Sequence, residues 1–329
     1  MKRVAIIVPK GEAVLSSIVG PWKVFNAANR FVLEQDPTAI PPFAPFLIGM
    51  EPLVKLYGGT FQIKVDHLLD EKPECDLIVA PAIQGELASQ LPANQPFIDW
   101  MRDAYHQNTE VASLCMGAFL LAKTGLLKGK TCTTHWSSAE VFRQLFPEVE
   151  LLSDKIITES NGIYTSGGAY SFLNLILYLV EKYAGREVAI MCAKYFEIDI
   201  NRINQSQFAI FWGQKEHEDK PVLDAQSYIE QNVEQKLSVE DLAAMVALSR
   251  RNFIRRFKKA THNTPLEYIQ RAKIEAAKKS LESSDHSVYE VMFNVGYSDS
   301  KAFRNLFRKF TGLTPNEYRH KYNRIHAYG

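Results

Sequence analysis

The sequence predicts an α/β domain with a mostly parallel sheet over residues 1–205 and an all-α domain with two helix-turn-helix units over 222–322. A linker at 206–221 joins them, and a short tail follows at 323–329. Three observations carry this. Short apolar runs rich in β-branched residues alternate with helical spacings through the first part of the chain, the pattern of βαβ units. Residues 214–221 (QKEHEDKP) are polar, charged and closed by proline, and strand patterning ends there. The helical part then repeats itself at an offset of 50 residues.

Residues 4–8 (VAIIV) carry the mark of a strand buried on both faces, and 18–31 the spacing of a helix through Val24, Ala27, Ala28 and Phe31. A second buried strand is expected at 75–80 (CDLIVA), ended by Pro81, and a helix at 97–106. Then come a strand at 111–114, a helix at 117–127 closed near Gly129, a strand at 130–134 and a helix at 137–145 that stops before Pro147. A strand at 163–166 and a long apolar helix at 169–183, ended by Gly185, complete the first domain.

The composition, 46% hydrophobic and 23% charged, excludes a chiefly disordered or fibrous chain. The net charge of +1 hides an asymmetry: residues 221–329 carry 18 Lys+Arg against 12 Asp+Glu, and residues 1–220 carry 20 against 25. An acidic first part and a basic second part predict domains with different partners. Cys75, Cys115, Cys132 and Cys192 form no CxxC pair and no Cys/His cluster has zinc spacing, so neither a metal site nor a cofactor is expected. Reduced thiols fit a cytoplasmic protein. The apolar runs at 4–8 and 172–180 fall far short of the ~20 residues of a membrane span, and the first is too short for a signal-peptide core.

The repeat pairs Phe253 with Phe303, Phe257 with Phe307, Lys259 with Lys309, Thr264-Pro265 with Thr314-Pro315 and Glu267-Tyr268 with Glu317-Tyr318. In the first copy Ser238 stands at an N-cap with Asp241 three residues on, close to a capping box. Leu242, Met245 and Val246 give a buried stripe, Ala247 and Leu248 a turn, and Ser249 caps the next helix. That helix, 250–259, puts Phe253, Ile254 and Phe257 on one face and Arg250, Arg251, Arg255, Arg256, Lys258 and Lys259 around the rest. In the second copy 287–292 forms the first helix, Gly296 supplies a turn position tolerant of positive φ, and Ser298 caps a helix at 299–310. Phe303, Phe307 and Phe310 face inward there, leaving Lys301, Arg304, Asn305, Arg308 and Lys309 outside.

A single basic helix is usually just a solvated face. Two of them, each behind a capped helix and a tight turn and each followed by Thr-Pro-x-Glu-Tyr, read instead as paired helix-turn-helix units. An α-helix fits the major groove, guanidinium groups pair with guanine edges and other cations with phosphates, so double-stranded DNA is the expected partner. A monomer carrying both helices would enter two successive major grooves about 34 Å apart.

Residues 222–322 are similar to the AraC/XylS-type DNA-binding domain, most closely in LSVEDLAAMVALSRRNFIRRFKKATHNTP and SVYEVMFNVGYSDSKAFRNLFRKFTGLTPNEYR. The resemblance implies DNA contacts from Ser249, Arg250, Arg251, Asn252, Arg255 and Arg256 in the first unit. In the second it implies Ser298, Asp299, Ser300, Lys301, Arg304, Asn305 and Arg308. Two departures are His262, where the second copy has Gly312, and Met292, where the family usually has alanine. Histidine tolerates positive φ better than most residues, so the first should cost little. The second predicts altered packing against the reading helix.

In the first domain, 110–118 (EVASLCMGA) reads as a strand, a sharp turn and a helix start. Cys115 has small residues two before and two after, Ser113 and Gly117, the spacing a nucleophile elbow needs. A cysteine at a helix N-terminus feels a dipole that favours thiolate, and His135 is its candidate partner. The pattern resembles the PfpI-like, class I glutamine-amidotransferase-like fold, flavodoxin-like in its sheet. More narrowly, 20–25 (GPWKVF), 113–122 and 133–136 (TTHW) look like the sensor domains of GlxA-type AraC regulators.

The resemblance implies that Ser17 occupies a first-loop position where the superfamily's enzymes carry an acid. It also implies that Met116 replaces a histidine often found after the nucleophile, and Lys23 a glutamate. Without acid or adjacent imidazole, proton transfer is poorly supported, and Glu12 in the same loop is the remaining acidic candidate. The expectation is a transcriptional regulator whose first domain keeps a vestigial elbow, Cys115 with His135. That domain would be non-catalytic, bind a small-molecule effector beside Ser17, Cys115, Met116 and His135, and form a homodimer. The alternatives are a cysteine-dependent hydrolase or amidase-like enzyme with an accessory DNA-binding tail, and a thiol redox sensor. Cys75, Cys132 and Cys192 read as small buried hydrophobes. Residues 165–168 (TSGG) read as a tight βα turn, with an anion site as the alternative. Tyr170, Phe172, Leu173, Ile176 and Leu177 have the spacing of core or of a dimer interface.

Overall fold

The computed structural model describes residues 1–323 in two compact units, Met1–Gln205 and the chain from Ser206 onward. The expected tail lies, beyond Asn323, outside the described residues.

The first unit opens with β1 (Lys2–Ile7), α1 (Ser16–Gln35), β2 (Phe43–Gly49), a hairpin of β3 (Leu53–Leu56) and β4 (Phe61–Lys64), β5 (His67–Leu68) and β6 (Leu77–Ala80). Next are α2 (Leu87–Ala93), α3 (Gln95–His106), β7 (Glu110–Ser113), α4 (Gly117–Lys123), β8 (Thr131–Cys132), α5 (Ala139–Leu145) and β9 (Glu150–Leu151). It ends with β10 (Ile157–Ser160), β11 (Ile163–Ser166), α6 (Phe172–Ala184) and α7 (Arg186–Tyr195). A seven-stranded sheet runs β10-β11-β7-β6-β1-β2-β5, parallel except for β10 against β11. Period-two alternation sorts β1 between two cores. Val4 and Ile6 pack with α1, α6 and α7, and Ala5 and Ile7 pack with α3, α4 and α5.

Two expectations shift here. The helix expected at 117–127 ends at Lys123, because Thr124 Oγ1 donates to Leu121 O (2.5 Å) and Gly125 turns the chain at φ 82. β2 is absent from the sequence reading, masked by Pro45. That proline is tolerated because β5 pairs only with Ile48 and Gly49, leaving its side of the strand open.

The second unit is helical: α8 (Lys220–Gln231), α9 (Val239–Met245), α10 (Arg250–Thr261), α11 (Pro265–Ser283), α12 (Val288–Asn294), α13 (Ser300–Thr311) and α14 (Pro315–Tyr322). The segment expected as a linker is tied to this unit rather than free. The Phe211 ring meets Tyr268 at 4.9 Å, its N–H donates to Glu275 (3.1 Å), and the Gln214 carbonyl accepts from Gln226 (2.8 Å). The residues of the sequence repeat build the same stack twice. Phe257 meets Phe253 at 5.4 Å and Tyr268 at 5.3 Å, and Phe307 meets Phe303 at 5.9 Å and Tyr318 at 5.4 Å. Met292 is buried in the second of these cores, whereas Met245, expected in the buried stripe of the first, is 45% exposed.

Candidate functional site

Each reading helix stands behind a capped helix and a turn. Ser238 Oγ accepts from Asp241 N (3.1 Å) to start α9, and Ser249 Oγ accepts from Asn252 N (3.4 Å) to start α10. In the second unit Ser287 and Glu290 close a full capping box on α12. Ser298 does not cap α13. The turn there is one residue longer, and Asp299 takes the position, accepting from Lys301 N (2.8 Å) and Ala302 N (3.0 Å). Lysines 258 and 259, and Arg308 and Lys309, lie in the last turns of α10 and α13, where the helix dipole favours cations.

On α10 the side chains of Arg250, Arg251 and Arg255 are exposed, and Arg255 bonds Asn252 Oδ1 at 2.9 Å. Arg250 reaches Glu240 (2.5 Å), an ion pair more than half exposed on both sides and worth little. Arg256 differs from its neighbours. Its guanidinium grips Asp219 with two bonds, 2.9 and 2.7 Å, and thereby ties α10 to the start of α8. That hydrogen-bonded guanidinium also holds the Asp219 carboxyl below the usual aspartate range. Arg256 is thus engaged on the protein side and half-buried, unlike the exposed Arg250, Arg251 and Arg255. On α13, Lys301, Arg304, Asn305 and Arg308 are exposed, as are Ser298 and Asp299 before it, while Ser300 is half-buried.

The elbow has the strained backbone its spacing implied. Cys115 sits at φ 53, a left-handed conformation costing about 1–2 kcal/mol for a residue with a side chain. A Cβ at Gly117 would run into the carbonyls of Ala80 and Pro81, so the helix can start this close to β6 only with glycine there. The Cys115 N–H donates to Ser166 Oγ (3.2 Å), and Thr134 Oγ1 donates to the Cys115 carbonyl (2.9 Å). The thiol is buried, and burial pushes its pKa up against the opposing pull of the Ala169 and Met116 N–H groups. His135 is pulled down by burial, so it stays neutral near pH 7, and its Nδ1 lies 2.6 Å from Ser137 Oγ. Its ring abuts Gly168, where a Cβ would overlap it.

Neither first-loop candidate serves this thiol. Ser17 is fully buried and committed, donating to Val14 O (2.6 Å) and accepting from Ala82 N (3.0 Å). Glu12 turns to the N–H groups of Tyr57 (2.8 Å) and Gly58 (3.3 Å). The turn at 165–168 has spent its N–H groups as well, Gly167 on Ile156 O (2.9 Å) and Gly168 on the Gln205 amide oxygen (2.8 Å). Gln205 is the residue that sequence reasoning missed. It is 1% exposed, and its Nε2 meets the carbonyls of Thr134 (2.8 Å), Ser153 (3.0 Å) and Lys155 (3.1 Å). No local signal marks a glutamine at the end of an irregular stretch. Burial pushes Cys75 and Cys132 up to about 12 and Cys192 to about 11, consistent with inert thiols. A cleft of about 880 Å³, lined in part by Cys75, Asp76, Trp100 and Thr109, opens at the amino ends of β6 and β7, the sheet end opposite Cys115.

An elbow-bearing α/β unit joined to paired helix-turn-helix units defines a class: DNA-binding transcriptional regulators with a PfpI-like domain and an AraC-type reading domain. The chain belongs to the DJ-1/PfpI family, whose profile matches residues 2–182, and a helix-turn-helix domain profile matches 242–321. It is 24% identical over 259 residues to the HTH-type transcriptional regulator GbdR of Pseudomonas aeruginosa, covering 78% of this chain and 70% of that one. It is 22% identical over 215 residues to the HTH-type transcriptional regulator GlxA of Rhizobium meliloti, covering 64% and 65%. Among solved structures, a ThiJ/PfpI family protein from Pseudomonas syringae superposes with a TM-score of 0.50 at 19% identity, over 61% of this chain and 76% of that one, a likeness of fold.

Proposed function

We propose that the chain binds specific promoter DNA by laying α10 and α13 in successive major grooves, and that its α/β unit senses a small molecule beside Cys115. The observation that carries the first part is the pairing of two exposed cationic helices, each behind a capped helix and a turn, within one compact unit. In this reading Ser249, Arg250, Arg251, Asn252 and Arg255 meet DNA from the first unit, and Ser298, Asp299, Ser300, Lys301, Arg304, Asn305 and Arg308 from the second. Selecting bound duplexes from random-sequence DNA and footprinting them tests it. Two protected stretches about one helical turn apart are expected, with affinity falling as salt rises. A single protected stretch, or no retained sequence, would remove the reading.

The α/β unit, in the same proposal, is non-catalytic. Three observations support this reading: the buried thiol has a raised pKa, His135 Nδ1 is taken up by Ser137 rather than by a carboxylate, and Ser17, at the first-loop position, is committed to backbone groups. The effector then meets Cys115, Met116 and His135, and acts only as far as it binds the DNA-competent arrangement differently from the incompetent one. Two copies associate, bringing four reading helices and a gain in effective concentration. Among the described residues no helix is long and apolar enough to cross a membrane, and all four cysteines are free, in keeping with action in the cytoplasm. Turnover of amides, isonitriles or glyoxals that disappears in Cys115→Ala would overturn the sensing role. Sedimentation showing only monomers would overturn the dimer.

A further inference from the structure

The helical unit has two apolar cores, and α11 serves both. Tyr268, Ile269 and Ala272 pack into the first, and Ile274, Ala277 and Leu281 into the second. Lys273 stands at the changeover and is 5% exposed. Its Nζ donates to the carbonyls of Val233 and Gln235 (2.8 Å), in the turn between α8 and α9, and to Val295 O (2.8 Å), in the turn between α12 and α13. An ammonium has three N–H donors, and these three carbonyls use all of them. Gly296 is fitted to the same joint. A Cβ there would lie 2.5 Å from Glu234 O and 2.7 Å from Lys273 Nζ. The corresponding turn residue of the first half is Ala247 at φ 54, so left-handed backbone alone does not demand glycine at Gly296, and the close approach does.

A buried cation is costly unless its partners are placed well, and an apolar side chain would fill the joint with less demand on geometry. What the ammonium adds is direction. It holds the turn that leads into α13 against the turn that leads into α9, the helix packed beside α10. We propose that Lys273 is a positioning residue that fixes the spacing and phase of the two reading helices, and through them the separation of the half-elements the protein accepts on DNA. This rests on the two-groove reading above.

The test uses the full-length protein and a duplex recovered by selection from random-sequence DNA. It also uses versions of that duplex with one or two base pairs inserted between the protected half-elements, and one with a half-element scrambled. The wild type should lose about tenfold in affinity on each insertion duplex. Lys273→Met should bind the intact duplex about tenfold more weakly, lose under about threefold on the scrambled one, and show an insertion penalty reduced to about threefold or less. Gly296→Ala, which drives a methyl into the joint while keeping the lysine, should flatten the insertion profile in the same way, and it carries the test if Lys273→Met does not fold. An insertion penalty as steep in the variants as in the wild type, with any loss equal on every duplex, overturns the proposal. A wild type indifferent to insertions overturns the two-groove reading first, and the positioning role with it.

Discussion

Ala247 and His262 stand in the first helix-turn-helix half where Gly296 and Gly312 stand in the second, and all four hold left-handed backbone, with φ of 54 and 57 against 72 and 74. The capping differs in the same sense. Glu317 closes a capping box with Thr314, whereas its counterpart Glu267 turns away to Arg271 (2.9 Å). Ser287 and Glu290 make a full box on α12, while Asp241, one methylene shorter, reaches only the Ser238 hydroxyl (2.5 Å). The first half also gives Arg256 to Asp219, where α13 carries Leu306 at the matching position. One scaffold has thus been closed twice. The first copy spends one arginine on its own architecture and tolerates backbone strain; the second uses glycine where the chain turns.

The largest test of this contrast is in the cores. Phe257→Ala and Phe307→Ala should each cost about 3–5 kcal/mol in denaturant unfolding, as large-to-small changes in packed cores do. A single transition in both variants is expected because α11 belongs to both cores. Two separated transitions would mean the halves fold independently. Next, Arg304→Ala should lose about 1–3 kcal/mol of specific binding and relax sequence preference, while Arg256→Ala leaves the preference unchanged. The two variants behaving alike in a binding-site selection would erase the distinction drawn between them.

Asp219→Ala should cost about 1 kcal/mol, chiefly through the lost N-cap of α8, the ion pair being partly exposed and screened. The folded pKa of Asp219 is depressed, so its contribution is full above the ordinary aspartate range and fades as pH falls through the depressed value. An acid titration of thermal stability in which wild type and variant run parallel from pH 6 to pH 2 would contradict this. The smallest effect belongs to Ala247→Gly, which should gain about 0.5–1 kcal/mol by relieving left-handed strain against glycine's entropy cost. A loss of melting temperature would show that the Ala247 methyl packs more usefully than its backbone suffers.

Much of this was legible in the residues. Period-two and helical spacing found β1, β6, β7, β11, α1, α3 and α6 to within a few positions, because each buries one face or both. The offset of 50 located α10 and α13, since paired aromatic residues set the core. The cap of α13 was misread all the same. The first helices of the two halves, α9 and α12, align at 49, which sets Ser298 opposite Ser249, whereas the offset of 50 that holds for the reading helices points to Asp299, the residue that caps. Elbow spacing gave Cys115 and its two small neighbours, but whether Ser17 or Glu12 faced the thiol depended on hydrogen bonds to backbone groups far along the chain. Arg256 illustrates the same limit: its partner lies 37 residues upstream, and nothing in its own helix separates it from Arg255.

Gln205 gives the α/β unit an end that its outline conceals. The last helix stops at Tyr195, yet the amide that quiets the Gly168 N–H and the Thr134 carbonyl arrives ten residues later. A fragment trimmed at the helix would look whole and would leave both groups bare, one residue from the N–H that faces the buried sulfur and on the very threonine that holds its backbone. Biochemists who isolate the α/β unit should therefore cut beyond position 205, or the sulfur they study will sit beside backbone groups stripped of their partner.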